Sequence, residues 1–255
     1  MKRLGASTRM VATEILRNRA AMLLLFLVPT VLYTVIRATA GDPPVSFQLS
    51  APAGVLLRSS ERNISLVLMG STAMCGLMAF FAFVLTFRPI QTDRRLVFEG
   101  YRPWELLGAK VLVVAGSAAI VAFYVTAMLL LFHHPPRVGG VWLGFFLAGL
   151  VYGLLGIVIG VLSLRDLGGL LVILLLVNID PGWLQNPVLY PTAHNRAIIH
   201  WLPAYHPCQV TLLSGFTREP LAPQVLLCGV WLLVVGFFTA VLYRLRIGIV
   251  RRHDG

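Results

Sequence analysis

The stretch LGGLLVILLLV, residues 167–177, runs straight into NIDPG, residues 178–182. Whether it crosses a membrane decides the fold. Its eleven residues make a helix of only about 16 Å, roughly half of a hydrocarbon core. Proline has no amide hydrogen to continue a helix, and an aspartate in mid-membrane costs about 2.5–3.5 kcal/mol on insertion scales. Asn178–Gly182 is therefore read as the end of a short helix.

Five longer apolar runs surround it: Ala20–Ile36, Ile64–Phe87, Leu106–Phe132, Val141–Leu164 and Val225–Tyr243. The 255-residue chain is 58% hydrophobic and only 12% charged, which excludes an ordinary soluble domain. It is read as one polytopic membrane domain over residues 1–255. The ends settle the number of crossings. Lys2, Arg3, Arg9, Arg17 and Arg19 lie in the N-terminal arm, and Arg244, Arg246, Arg251 and Arg252 in the C-terminal tail. Positive residues hold flanking segments to the cytoplasm, so both ends are placed there and the crossings must be even. Six spans result, at about 20–36, 64–87, 106–132, 141–164, 167–177 and 225–243.

This topology puts Arg88, Arg94, Arg95, Arg102, Lys110 and Arg165 inside. It leaves Arg37, Arg58, Arg62, Arg137, Arg196 and Arg218 outside. The net charge of +11 is then topogenic, and no nucleic-acid partner is expected, since no basic patch lies in a soluble domain. Ala38-Thr39-Ala40 follows an apolar run as a signal-peptidase site would, but residues 1–19 precede that run and Arg37 sits between the run and the site. The run is read as a span.

Residues 2–19 form an amphipathic pattern. Leu4, Val11, Ala12, Ile15 and Leu16 share one side; Lys2, Arg3, Arg9, Thr13, Glu14 and Arg17 share the other. This is a surface helix in contact with membrane lipids, either a plain anchor or a lever on a cytoplasmic partner. Arg37–Asn63 reads as an irregular outer loop. Residues 183–216, punctuated by prolines and aromatics, read as an outer re-entrant or interfacial helical segment, because such backbone enters a membrane only where protein or water covers it.

Between spans 2 and 3 lies RRLVFEGYRPWELLGAK, residues 94–110. Residues 92–99 suit a short helix, Gly100 a break, and Pro103 the first turn of the next helix. The simplest reading is a polar loop. Glu99-Gly100, Pro103-Trp104-Glu105 and Leu106-Leu107-Gly108-Ala109-Lys110, with Pro181–Pro187 and Leu202–Pro207 before the last span, give the chain another reading. It resembles the permease subunit of ABC exporters of the ABC-2 type over essentially its whole length. The separation of Gly108 from Lys110 departs from that family's commoner Gly-Lys pair.

The resemblance implies an all-α fold of six transmembrane helices, with the loop between spans 2 and 3 as a coupling helix. Arg94, Arg95, Glu99, Gly100, Arg102, Trp104 and Glu105 would dock on a separate ATP-binding subunit. A second permease chain, a bacterial plasma membrane and a drug, natural-product, lipid or lipid-linked-glycan cargo are implied with it. No G-x-x-x-x-G-K-[ST] loop occurs in this chain, so ATP and Mg are expected in the partner subunit and no cofactor or catalytic residue here. Met69, Met74 and Met78 of span 2 are candidates for the wall of a substrate path, methionine being adaptable to varied shapes; plain packing is the alternative. Glycine pairs four apart in span 4, such as Gly156 and Gly160, suit close helix approach within the chain or between chains.

His194, His200 and His206 do not share a helix face, and Cys75, Cys208 and Cys228 are too scattered for a metal site or disulfide framework. The rival readings are an intramembrane enzyme and a secondary transporter. Both need ionisable residues at depth, and the spans are read as holding essentially none.

Overall fold

The computed structural model describes residues 5, 7–11, 13, 19–49, 56–190 and 196–248. The amphipathic pattern at 2–19 falls largely outside them, although residues 7–11 are helical. The elements are α1 (Arg19–Thr39), β1 (Pro44–Gln48), β2 (Leu56–Ser60), α2 (Glu61–Phe87), α3 (Ile90–Phe98), α4 (Pro103–Leu130), α5 (Val138–Leu162), α6 (Asp166–Val177), a π-helical turn (Asn178–Leu184), α7 (Arg196–His200), α8 (Tyr205–Phe216) and α9 (Ala222–Gly248). Among the described residues six helices are long and apolar enough to span a membrane: α1, α2, α4, α5, α6 with its π turn, and α9. The protein is a helical, multi-pass membrane protein.

α2 and α5 are the most buried spans and pack against each other; α1 and α9 are the least buried. Large apolar side chains such as Leu23, Phe123, Leu233 and Phe237 are exposed, as lipid-facing residues should be. Glycine makes the central contact possible. A Cβ at Gly156 would collide with the Ala79 backbone carbonyl, and one at Gly144 with Thr211. Gly144 and Gly156 of α5 therefore allow close packing inside this chain. Gly156→Leu is expected to destabilise the protein by about 3 kcal/mol, because backbone cannot yield as a side chain can. Gly229→Leu in α9, where a Cβ meets open space, should unfold at nearly the native temperature in the same detergent melt.

The fifth span differs from its sequence reading. The helix does not stop at Val177. It continues as one membrane-length element from Asp166 to Leu184, 19 residues, about 28 Å at an α-helical rise. Asp180 and Pro181 sit inside it, tolerated by the wider π turn, in which Gln185 N donates to Asp180 O at 3.2 Å. α2, α4, α5 and α9 each begin three residues before their apolar runs, and α1 begins at Arg19, one residue before its own. The outer loop also differs. It contains an antiparallel hairpin pairing Val45 with Ser59 and Phe47 with Leu57. Phe47 is buried against Phe216, ring centroids 5.0 Å apart, so the hairpin is a lid on the bundle. It closes onto the segment after the fifth span, where Gln48 N donates to Pro187 O at 3.2 Å.

The bundle thus has two distinct ends. The hairpin, the α4–α5 loop, α8 and the 178–190 segment share one. There Arg137 donates to the carbonyls of Arg218 and Glu219, and His133 Nε2 lies 3.0 Å from Gly215 O. α3, the start of α1 and the C-terminal part of α9 share the other. α8 has only 12 residues, too short to span, yet it is buried from Tyr205 to Gly215 against α5, α2 and α9.

Candidate functional site

α3 begins where Pro89 ends α2. A helical carbonyl normally accepts from the amide four residues on, and for Leu85 that residue is Pro89, which has none. Lys110 of α4 supplies the missing donor: its Nζ lies 2.8 Å from Leu85 O. The same ammonium pairs with Asp93 of α3 at 2.9 Å. Both side chains are buried, 1% exposed for Lys110 and 5% for Asp93. Tyr243 of α9 donates its hydroxyl to the same carboxylate oxygen at 3.0 Å. One ion pair therefore fastens α3 to α2, α4 and α9. A buried charge pair survives only when its remaining valences are satisfied, and here a carbonyl and a phenol do so. Arg94 adds a second tie, Nη2 to Arg246 O at 3.2 Å.

The outer surface of α3 carries a different chemistry. Arg95, Phe98 and Glu99 are exposed, followed by Gly100, Arg102 and Trp104. Phe98 is 62% and Trp104 60% exposed, and the Arg102 guanidinium stands 5.8 Å from the Trp104 ring centroid. Gly100 has φ +96, a conformation L side chains rarely adopt, and it lets the chain reverse from α3 into α4. Glu105 is turned back to its own helix, where its carboxylate accepts from Arg102 N at 3.3 Å. Of the residues singled out from sequence, Arg95, Glu99, Gly100, Arg102 and Trp104 thus share the exposed surface. Arg94 and Glu105 are engaged within the chain. Met74 and Met78 are fully buried, close to Gly149, while Met69 is half-buried.

A second polar cluster lies toward the hairpin end. Asp180, 2% exposed, accepts from Tyr152 OH at 2.5 Å, Gln185 Nε2 at 2.7 Å and Ala204 N at 3.0 Å. Gln185 Oε1 accepts from Tyr190 OH at 3.0 Å, and Gln209 Nε2 approaches that hydroxyl at 3.4 Å. Nearby, His206 Nδ1 donates to Gln224 Oε1 at 2.8 Å. Burial holds the His206 imidazole below its ordinary pKa, with the Gln224 hydrogen bond opposing and His200 adding to the depression.

The fifth span therefore does hold an ionisable residue, Asp180, contrary to the sequence expectation, and Lys110, near the start of α4, is buried. Each is neutralised or hydrogen-bonded by partners from other elements. Sequence reasoning passed over Asp93, Tyr243 and the Asp180 cluster. The signal available was Pro89 four residues after Leu85, a lost donor that something had to replace. Among the described residues no group of three His, Cys, Asp or Glu side chains is placed to hold a metal ion. No protein-family model matches the chain, and no curated protein matches it.

Proposed function

We propose that the chain is the membrane subunit of an ABC exporter of the ABC-2 type, with α3 docking on a separate ATP-binding subunit. The observation that carries this reading is the two-sidedness of α3. One side is fixed to three membrane helices by Asp93, Lys110, Leu85 and Tyr243. The other offers Arg95, Phe98, Glu99, Arg102 and Trp104 to solvent, a mixture of aromatic and guanidinium groups typical of interface anchors. A helix so mounted converts a push on its outer face into a displacement of the spans.

ATP and Mg belong to that partner, and a second permease chain completes the path. The α3 end is the cytoplasmic one, because Arg88, Arg95, Arg102, Arg165, Arg244 and Arg246 gather there. The segment 183–216 then serves as the outer re-entrant part. Apolar spans suit a hydrophobic or amphiphilic cargo, and a bacterial plasma membrane is the proposed site.

Mild-detergent purification from the native host tests this. An ATP-binding subunit should accompany the chain in equal amount. Arg95→Glu, or Trp104→Ala, should lower its recovery roughly tenfold or more, as loss of a hot-spot residue does, without reducing the amount of chain in the membrane. A chain that purifies alone, or a partner retained by both variants, would overturn the proposal. Asp180, a buried carboxylate within a span, is the one observation favouring a secondary transporter instead.

A further inference from the structure

A cleft of about 320 Å³ opens between the N-terminal arm and the start of α3, apart from the docking face. Its apolar wall is Met10, Val11, Leu85 and Pro89. Its floor is the Lys110–Asp93 pair, whose charges cancel. Its rim carries Arg88 and Thr92, both exposed. Among the described residues no carboxylate pairs with the Arg88 guanidinium, and Arg88 is the cation these residues bring to the rim. Arg88 and Thr92 stand on either side of the break at Pro89, and both line the same cleft.

The depth of the cleft is equally telling. Leu85 lies in the last turn of α2, at the end of that span, and Met10 and Val11 line the cleft beside it. A polar rim over an apolar wall at this level matches the junction of a phospholipid, phosphate above and glycerol with the first acyl carbons below. Guanidinium pairs with phosphate through a planar fork of donors, and basic pockets beside spans recruit such headgroups.

We propose that this cleft holds an anionic phospholipid, its phosphate on Arg88 and Thr92 and its glycerol region against Met10, Val11, Leu85 and Pro89. The occupant is anionic rather than zwitterionic because a choline group would bring a second cation beside Arg88. A lipid seated there rests on the arm and on α3 together, and so joins two segments that share few covalent neighbours. The proposal stands on the membrane character of the chain alone and is independent of the transport reading.

The test uses the purified full chain in detergent, titrated with phosphatidylglycerol, phosphatidylcholine or inorganic phosphate, and followed by native mass spectrometry and thermal unfolding. Phosphatidylglycerol should bind in preference to phosphatidylcholine and raise the unfolding temperature. Arg88→Gln should weaken that binding roughly fivefold or more, the loss expected when one arginine near an anionic surface is neutralised. Arg88→Lys should retain part of it, Thr92→Val should show a smaller loss, and Arg218→Gln at the opposite end should bind as the native chain does. Unchanged binding by both Arg88→Gln and Thr92→Val would overturn the site. Equal binding of the two lipids would overturn the charge argument, and equal stabilisation by inorganic phosphate would overturn the lipid as occupant.

Discussion

Lys110→Met unfolds at a markedly lower temperature than the native chain, with a loss of about 3–5 kcal/mol, the expected result of leaving one charge of a buried pair alone. Two deficits arise together. Asp93 keeps Tyr243 as a donor but loses its counter-charge, and Leu85 O loses the donor that replaced the amide absent at Pro89. Adding Asp93→Asn should restore part of the loss, because the uncompensated carboxylate is then gone. A double-mutant cycle should show a coupling of at least about 1 kcal/mol. A Lys110→Met chain as stable as the native one would mean that the pair does not secure α3.

Asp180→Ala is the second large effect. It removes the acceptor shared by Tyr152 OH, Gln185 Nε2 and Ala204 N. Buried donors left unpaired cost about 1–3 kcal/mol each, so a loss of about 3–5 kcal/mol is expected after local relaxation. Tyr152→Phe, which removes one donor and leaves the carboxylate two others, should lose only about 1–2 kcal/mol. Asp180→Asn should fall between, since its amide nitrogen would face donors. Denaturation in detergent separates the three. The series also bears on the rival transporter reading: a proton-carrying carboxylate predicts an Asn variant that is stable but inactive, whereas a structural acceptor predicts one that is destabilised in proportion to its lost bonds.

The spans were legible because hydrocarbon imposes a strong rule, and an apolar run such as Val141–Leu164 satisfies it without help from other segments. The break at Gly100 and the start at Pro103 were legible for the same local reason. Residues 178–184 were not. Asp180 and Pro181 are unfavourable in a helix read alone, and become acceptable only through Tyr152 and Ala204, which lie 28 and 24 residues away. The inward side of α3 was equally hidden. Arg94 and Arg95 are alike as letters, yet one reaches the carbonyl of Arg246 and the other faces water. The hairpin was obscured because its strands are short and one side of them closes on Phe216 rather than on a sheet.

The placement of Asp180 also has a consequence for synthesis. Chains are made from the N-terminus, so Tyr152 and its helix exist before Asp180 emerges, whereas Gln185 and Ala204 follow it. The carboxylate therefore enters the membrane with one of its donors already present and the other two still to come. The first of these, Gln185, arrives five residues later on the same stretch; the backbone amide of Ala204 closes the shell last. An insertion step that would strand a lone aspartate in oil becomes a handover from solvent to phenol to amide, and the order of the letters along the chain sets the order of the handover.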